Sequence, residues 1–442
     1  MGGILGMKWF RWLWCLFFFI SLFDADSLIQ ALRVKRLHLG DGTILEEAIL
    51  LIQDGKIVEV GSQISIPPRC RILLESNTLE ATPGMINFSC PLFLHTSETQ
   101  EAGQSVSSAP NGFDPYNPHW KNYFEPSRLR LGDQLIDGLI YEPISEAFRQ
   151  ELLQSGVTTY VLSSGSTRWI EGLSGVLRLK PTGTPFEILL SEQAISLQIS
   201  SDLALAAKQV QLFESFLREN RNYQEKKEET QKAQDDFDKA LKQWKNEKQQ
   251  AETERKEFKK EAPKRPELFK IDKSHECLIN LRQQKKTLYL ENTQDNSIRA
   301  WSKLAQDFKL KIIWKKGTLS PTLEERKEPL VLFPDQLNAE KYPSVALSKN
   351  KVPIFFGTGD RVEASRFLRL MVSQWIALGI DPEVCIRGLT SEPAKYLGLD
   401  QKIGLLKKGL DADIVIFEGD PWNSLSLVRM VLIQGEIVYE AR

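Results

Sequence analysis

The chain has no surplus of either charge: 57 basic residues stand against 58 acidic ones over 442 positions. That balance excludes the basic footprint of a nucleic-acid binder. Also missing are a Walker loop, a Gly-x-Gly-x-x-Gly fingerprint and a Gly-x-Ser-x-Gly elbow, which removes three common routes to phosphate binding or serine activation. Cysteine is scarce. Cys70, Cys90, Cys277 and Cys385 stand singly and far apart, so none has zinc-site or redox spacing, and they read as buried free thiols.

No apolar run has the about 20 residues of a membrane span. The longest, Trp12 to Phe23, follows Lys8 and Arg11 and stops at Asp24, which is the form of a signal-peptide core. Residues 1–27 are therefore expected to be a signal peptide or an N-terminal anchor. The protein would be exported, periplasmic or anchored on the outer face, touching a membrane only through that segment.

What the chain does contain begins with alternation. Leu32 to Leu37, Ala48 to Ile52 and Lys56 to Val60 are separated by Gly40-Asp41-Gly42 and Asp54-Gly55, the pattern of antiparallel strands joined by tight turns. The same pattern returns in Ala412 to Phe417, Val428 to Ile433 and Glu436 to Tyr439. Neither set is large enough to be a stable sheet alone, so the two chain ends are expected to pair. Between them, short apolar strands such as Gly156 to Leu162, Lys286 to Glu291, Leu310 to Trp314, Leu330 to Phe333 and Val352 to Gly357 alternate with helix-length stretches. That rhythm predicts a parallel α/β barrel.

Residues 218–270 break the rhythm. They contain no Gly, Ile or Val, and no Pro before Pro263, but many Lys, Glu and Gln, which are strong helix formers. Phe237, Leu241, Trp244, Ala251 and Phe258 make one narrow seam. A long helix or helical hairpin is expected, ended by Pro263 and Pro266, and packed either on its own barrel or against an unknown protein partner or paralogue through residues 218–266. Homo-oligomerisation is a further option.

Thr82-Pro83-Gly84-Met85-Ile86-Asn87-Phe88-Ser89-Cys90-Pro91 resembles the first barrel strand of the amidohydrolase superfamily, the metal-dependent hydrolases of C–N bonds. Leu389-Thr390, Pro393-Ala394, Leu397-Gly398, Ile403-Gly404, Lys408-Gly409, Asp411-Ala412-Asp413 and Gly419-Asp420-Pro421 match the family's C-terminal pattern, and Gly156-Val157-Thr158-Thr159 is similar to a strand of its imidazolonepropionase-like and prolidase-like members. The resemblance implies a TIM-like barrel, residues 83–402, with a composite β-sandwich satellite from residues 28–82 and 403–442. The charged helical insert, residues 205–266, would interrupt the barrel. By family, the activity would be hydrolysis of an amide or cyclic amide by water activated on a divalent metal, zinc above all.

The family's ligand positions are degenerate here. Its acidic residue and two histidines fall on Asn87, Ser89 and Pro91; later ligands fall on Glu291, Thr293 and Lys316; and its last aspartate falls on Gly359, with Asp360 one residue late. Alcohols, an imide ring and an ammonium do not replace imidazole and carboxylate donors. The expectation is a pseudoenzyme with no cofactor, acting as a binding or assembly protein. The alternative is an active hydrolase with a rearranged site built from His95, His119, Lys180 and Asp360; of these, Lys180 would lie on the strand that carries a metal-bridging lysine in some relatives.

Overall fold

A computed structural model describes residues 28–90, 146–163, 169–180, 186–291, 295–315, 328–334, 352–359 and 362–441. Residues 1–27, Pro91, His95, His119, Thr293, Lys316 and Asp360 lie outside that set, and so do the expectations attached to them.

The first strands are β1 (Gln30–His38), β2 (Ile44–Gln53), β3 (Lys56–Gly61), β4 (Arg71–Glu75) and β5 (Glu80–Pro83); the last are β14 (Ile414–Phe417), β15 (Val428–Ile433) and β16 (Glu436–Glu440). All eight belong to one hydrogen-bonded sheet, ordered β16-β15-β14-β5-β1-β2-β3, with β4 beside β1. The chain ends meet where β14 runs antiparallel to β5, Ile414 opposite Pro83 and Phe417 opposite Glu80. Two tight turns fix this arrangement. Asp54-Gly55 and Gln434-Gly435 both have positive φ at both residues, the type I′ geometry that suits the twist of a hairpin. They abut so closely that a Cβ on Gly55 would sit 2.8 Å from the Gln434 carbonyl oxygen.

The second sheet is a nearly closed barrel. In chain order its strands are β6 (Met85–Cys90), β7 (Val157–Leu162), β8 (Ile170–Leu179), β9 (Phe186–Gln198), β10 (Thr287–Glu291), β11 (Ile312–Lys315), β12 (Leu330–Leu332) and β13 (Ile354–Phe356), and they are neighbours in that order. The ends of β13 and β6 meet where Thr358 N and Gly359 N donate to the Ser89 carbonyl at 3.2 and 3.1 Å. Apolar side chains sort by strand alternation. Ile86, Phe88, Tyr289, Ile313, Val331, Phe333 and Phe355 fill the interior, while Leu288, Leu290, Ile312 and Trp314 pack outward with the helices.

One strand corrects the expectation of an all-parallel barrel: β8 is antiparallel to both β7 and β9. Its flanking connections, residues 163–169 and 180–185, are far shorter than the dozen or so residues a parallel crossover needs, so hairpins are the only option.

The helices are α1 (Glu146–Gln154), α2 (Leu203–Thr253), α3 (Lys273–Arg282), α4 (Asp295–Phe308), α5 (Leu368–Ala377), α6 (Pro382–Leu389) and α7 (Ser391–Leu397). α2 starts with the Asp202 side chain accepting from Leu205 N. Its buried residues, Ala206, Phe213, Phe216, Leu217 and Asn220, all lie in the first half, where Phe213 packs on Trp301 of α4. The helix is about 76 Å long at 1.5 Å per residue, and its far part is accompanied only by its own return leg. It ends earlier than the prolines predict. Arg255 takes φ +53°, and Lys256 N donates to the Ala251 carbonyl, a Schellman-type reversal that lets Phe258 meet Trp244 edge-on at 5.6 Å.

Candidate active site

In a barrel of this kind chemistry gathers at the C-terminal ends of the parallel strands. The described residues there are Asn87 and Ser89 on β6, Ser163 just past β7, Gln198 on β9, Glu291 on β10, Lys315 on β11 and Gly357 to Gly359 after β13.

Asn87 is fully buried and its amide is spent on closing the barrel. Its Nδ2 donates to Thr358 Oγ1 at 2.8 Å, and its Oδ1 accepts from Thr358 N at 3.2 Å and Ser89 N at 3.4 Å. The amide donates and accepts at once, whereas an ionised carboxylate here could only accept, from the Thr358 and Ser89 N–H groups and from the Thr358 hydroxyl turned to donate. Ser89 is buried beside Gly357, where an added Cβ would come within 3.1 Å of the Ser89 Cβ. Gly359 follows with φ +71°, a conformation that an aspartate adopts only with strain.

Lys315 was not among the candidates read from the sequence. Trp314 packs outward with Trp301, so its successor points inward, and the Lys315 amine sits 5.0 Å from the centre of the Tyr289 ring. The side chain is 0% exposed and, among the described residues, Nζ has no hydrogen-bond partner. Glu291 is its register partner on β10, yet no ion pair joins the two among the described residues. Tyr289 Oη and Ser163 Oγ are likewise buried without partners, and burial pushes the Tyr289 phenol well above its ordinary range.

Lys180 is at the other end of the molecule. Because β8 is antiparallel, Leu179 pairs with Phe186, the first residue of β9, and Lys180 falls at the N-terminal ends of the parallel strands. It therefore cannot join Ser89 and Gly359 in one site, and the rearranged metal site loses that member. Beside it Arg178 forms a closed network: NH1 reaches Asp411 at 2.7 Å and Asp413 at 3.2 Å, and NH2 reaches Glu187 at 2.5 Å. Lys56 and Lys402 complete it through Asp411 and Glu187, each at 3.0 Å. Burial opposes the charge on Asp411 and Glu187, but hydrogen bonds from Arg178 and these lysines outweigh it and hold both carboxyls below their ordinary values. Asp413 is buried more deeply and its carboxyl is pushed up.

Among the described residues no three His, Cys, Asp or Glu side chains converge. The described side chains at these strand ends are an amide, alcohols, one carboxylate and an ammonium, and an ammonium repels a second cation at short range.

Strand order, the C-terminal mouth and the satellite sheet define a TIM-like barrel with a composite satellite. The comparisons name the class more closely. Residues 300–438 match the amidohydrolase family model. A stretch of 130 residues is 27% identical to amidohydrolase tasK of Hapsidospora irregularis, spanning 28% of this chain and 13% of that protein. An amidohydrolase structure from Thermotoga maritima aligns with 93% of this chain and all of its own at TM-score 0.67 and 18% identity. A prolidase solved with N-methylphosphonate-L-proline aligns with 93% and 100% at TM-score 0.51 and 14% identity. Over residues 300–438 the chain is similar to the amidohydrolase family, and over most of its length it shares the fold of these structures.

Proposed function

We propose that this chain is a superfamily barrel that has given up metal-dependent hydrolysis and works as a binding protein. The observation that supports this reading is Lys315: a buried ammonium inside the mouth takes the place of the charge that a metal would bring. Without a bound cation, water keeps a pKa far above neutrality, and hydroxide is not available to attack an amide. Asn87 strengthens the reading, because its side chain is committed to the β6–β13 closure and has no capacity left for catalysis. The rival reading, a working hydrolase whose ligands come from His95, His119 and Asp360, makes the opposite claim about metal.

Elemental analysis of the purified full-length chain separates the two. The expected result is well under about 0.1 equivalent of zinc, manganese or iron per chain, and no change in thermal melting on chelation. About one or two equivalents of metal, with a chelator-sensitive amidase or cyclic-amidase activity, would sink the proposal.

A further inference from the structure

We infer that Lys315 and Tyr289 form a binding site for the carboxylate of a small organic acid inside the barrel mouth. This rests on the reading that no metal occupies the mouth. An ammonium carries three donors, and in this fully buried position all three lack an acceptor. The Tyr289 ring, 5.0 Å away, offers its π-face to the charge but no lone pair in the donor directions. Among the described residues the Tyr289 hydroxyl is a further buried group with no partner, and so is Ser163 Oγ, just past the strand four places round the sheet from β11. Buried polar groups are nearly always satisfied in a folded protein, so the adjacent Lys315 amine and Tyr289 side chain, without hydrogen-bond partners among the described residues, mark the place of a missing partner.

The chemistry of that partner follows from the groups themselves. Each of them can donate, so the ligand must bring acceptor oxygens. A single ammonium balances a single negative charge, and Glu291, the register neighbour of Lys315, adds a negative charge of its own nearby. A phosphate dianion would therefore be left under-compensated, whereas a carboxylate matches in both charge and oxygen count. Beneath the amine lies an apolar floor in which Phe88 stacks on Phe355 at 4.6 Å and tilts against Tyr289 at 5.6 Å. Flat apolar bodies pack on such a floor, so the acid is expected to carry an aromatic or compact apolar group.

Isothermal titration of the full-length chain with benzoate and phenylacetate, and with benzamide as a neutral control, tests the assignment. Saturable binding of at least one acid with Kd below about 1 mM, and none of benzamide, is expected. Lys315→Met should weaken it at least about tenfold and Tyr289→Phe by about threefold, so the phenol variant remains informative if the lysine variant fails to fold. Absence of saturable binding of both acids by the native chain would overturn the site, as would undiminished binding in either variant. Metal content, measured on the same preparation, keeps the two conclusions apart. Metal-free protein that binds neither acid removes only this site, while metal-loaded protein whose acid binding disappears on chelation removes the binding-protein reading too.

Discussion

Arg178 and Lys315 are two cations buried in one barrel, both 0% exposed, at opposite ends of its strands. Arg178 has three carboxylates within 3.2 Å and two lysines bracing them from outside, whereas Lys315 has an aromatic face and, among the described residues, no hydrogen-bond partner. The contrast separates a structural charge from one kept for a ligand. At the floor Arg178 is answered by Glu187 of the barrel strand β9 and by Asp411 and Asp413 from the satellite side, so the network ties the two sheets together. At the mouth the donors are left for something the chain does not supply.

The comparison breaks most visibly at Arg178. Arg178→Met should remove the cation while leaving Asp411 and Asp413 buried and facing one another, which costs about 3–5 kcal/mol for an uncompensated buried pair. The measurement is the urea midpoint of the full chain, followed by both fluorescence and circular dichroism. A loss under about 1 kcal/mol would mean that water reaches the network and that the two ends differ less than their geometry indicates.

Acid should act on the same network with a smaller effect. Asp411 and Glu187 have folded pKa values below their unfolded ones, about 3.9 and 4.3, so they stabilise the fold above that range and lose their contribution as pH falls through the folded values. Asp413 has the opposite sign: its raised value means that the folded state takes up a proton first, which offsets part of the loss. The net expectation is a nearly flat stability from about pH 7 to pH 5 and a decline of about 1–2 kcal/mol below about pH 4. Asp413→Asn should make that decline steeper. An unchanged acid limb in this variant would show that the Asp413 carboxyl is already neutral across the window.

Much of this architecture is legible in the sequence, for identifiable reasons. Asp54-Gly55 and Gln434-Gly435 announce hairpins because few other pairs tolerate positive φ twice, and the alternation of Leu32, Val34 and Leu37 shows which face is buried. The direction of β8 is not written in its residues: Ile170 to Leu179 is apolar and reads equally well either way. Only the lengths of its flanking connections carry the signal, and assigning Lys180 to the mouth ignored them. Lys315 and Lys316 pose a different problem. Neighbouring lysines at a strand end leave parity open, and it is the outward packing of Trp314 that makes Lys315 the inward one. Asn87 and Ser89 are placed at the end of β6 by the Pro83-Gly84 pattern, but the role of Asn87 in closing the barrel depends on Thr358, 271 positions away.

The finest difference between the two ends lies in the sign of a small change. A residue whose partners are all in place destabilises the protein when it is truncated; a buried donor that waits for a ligand costs the ligand-free fold something to keep. Replacing Lys315 with Met preserves length and most of the volume, keeps sulfur–aromatic contact with Tyr289 in reach, and removes an ammonium with no hydrogen-bond partner. The ligand-free variant should therefore melt at or above the native temperature, by up to about 2 °C, although it no longer holds a carboxylate. Addition of benzoate should then raise the melting temperature of the native chain and leave the variant where it was, since a ligand stabilises only the form that binds it. If Lys315→Met instead lowers the melting temperature as far as Arg178→Met does, the amine at the mouth is a structural brace like the guanidinium at the floor, and the distinction between the two ends disappears.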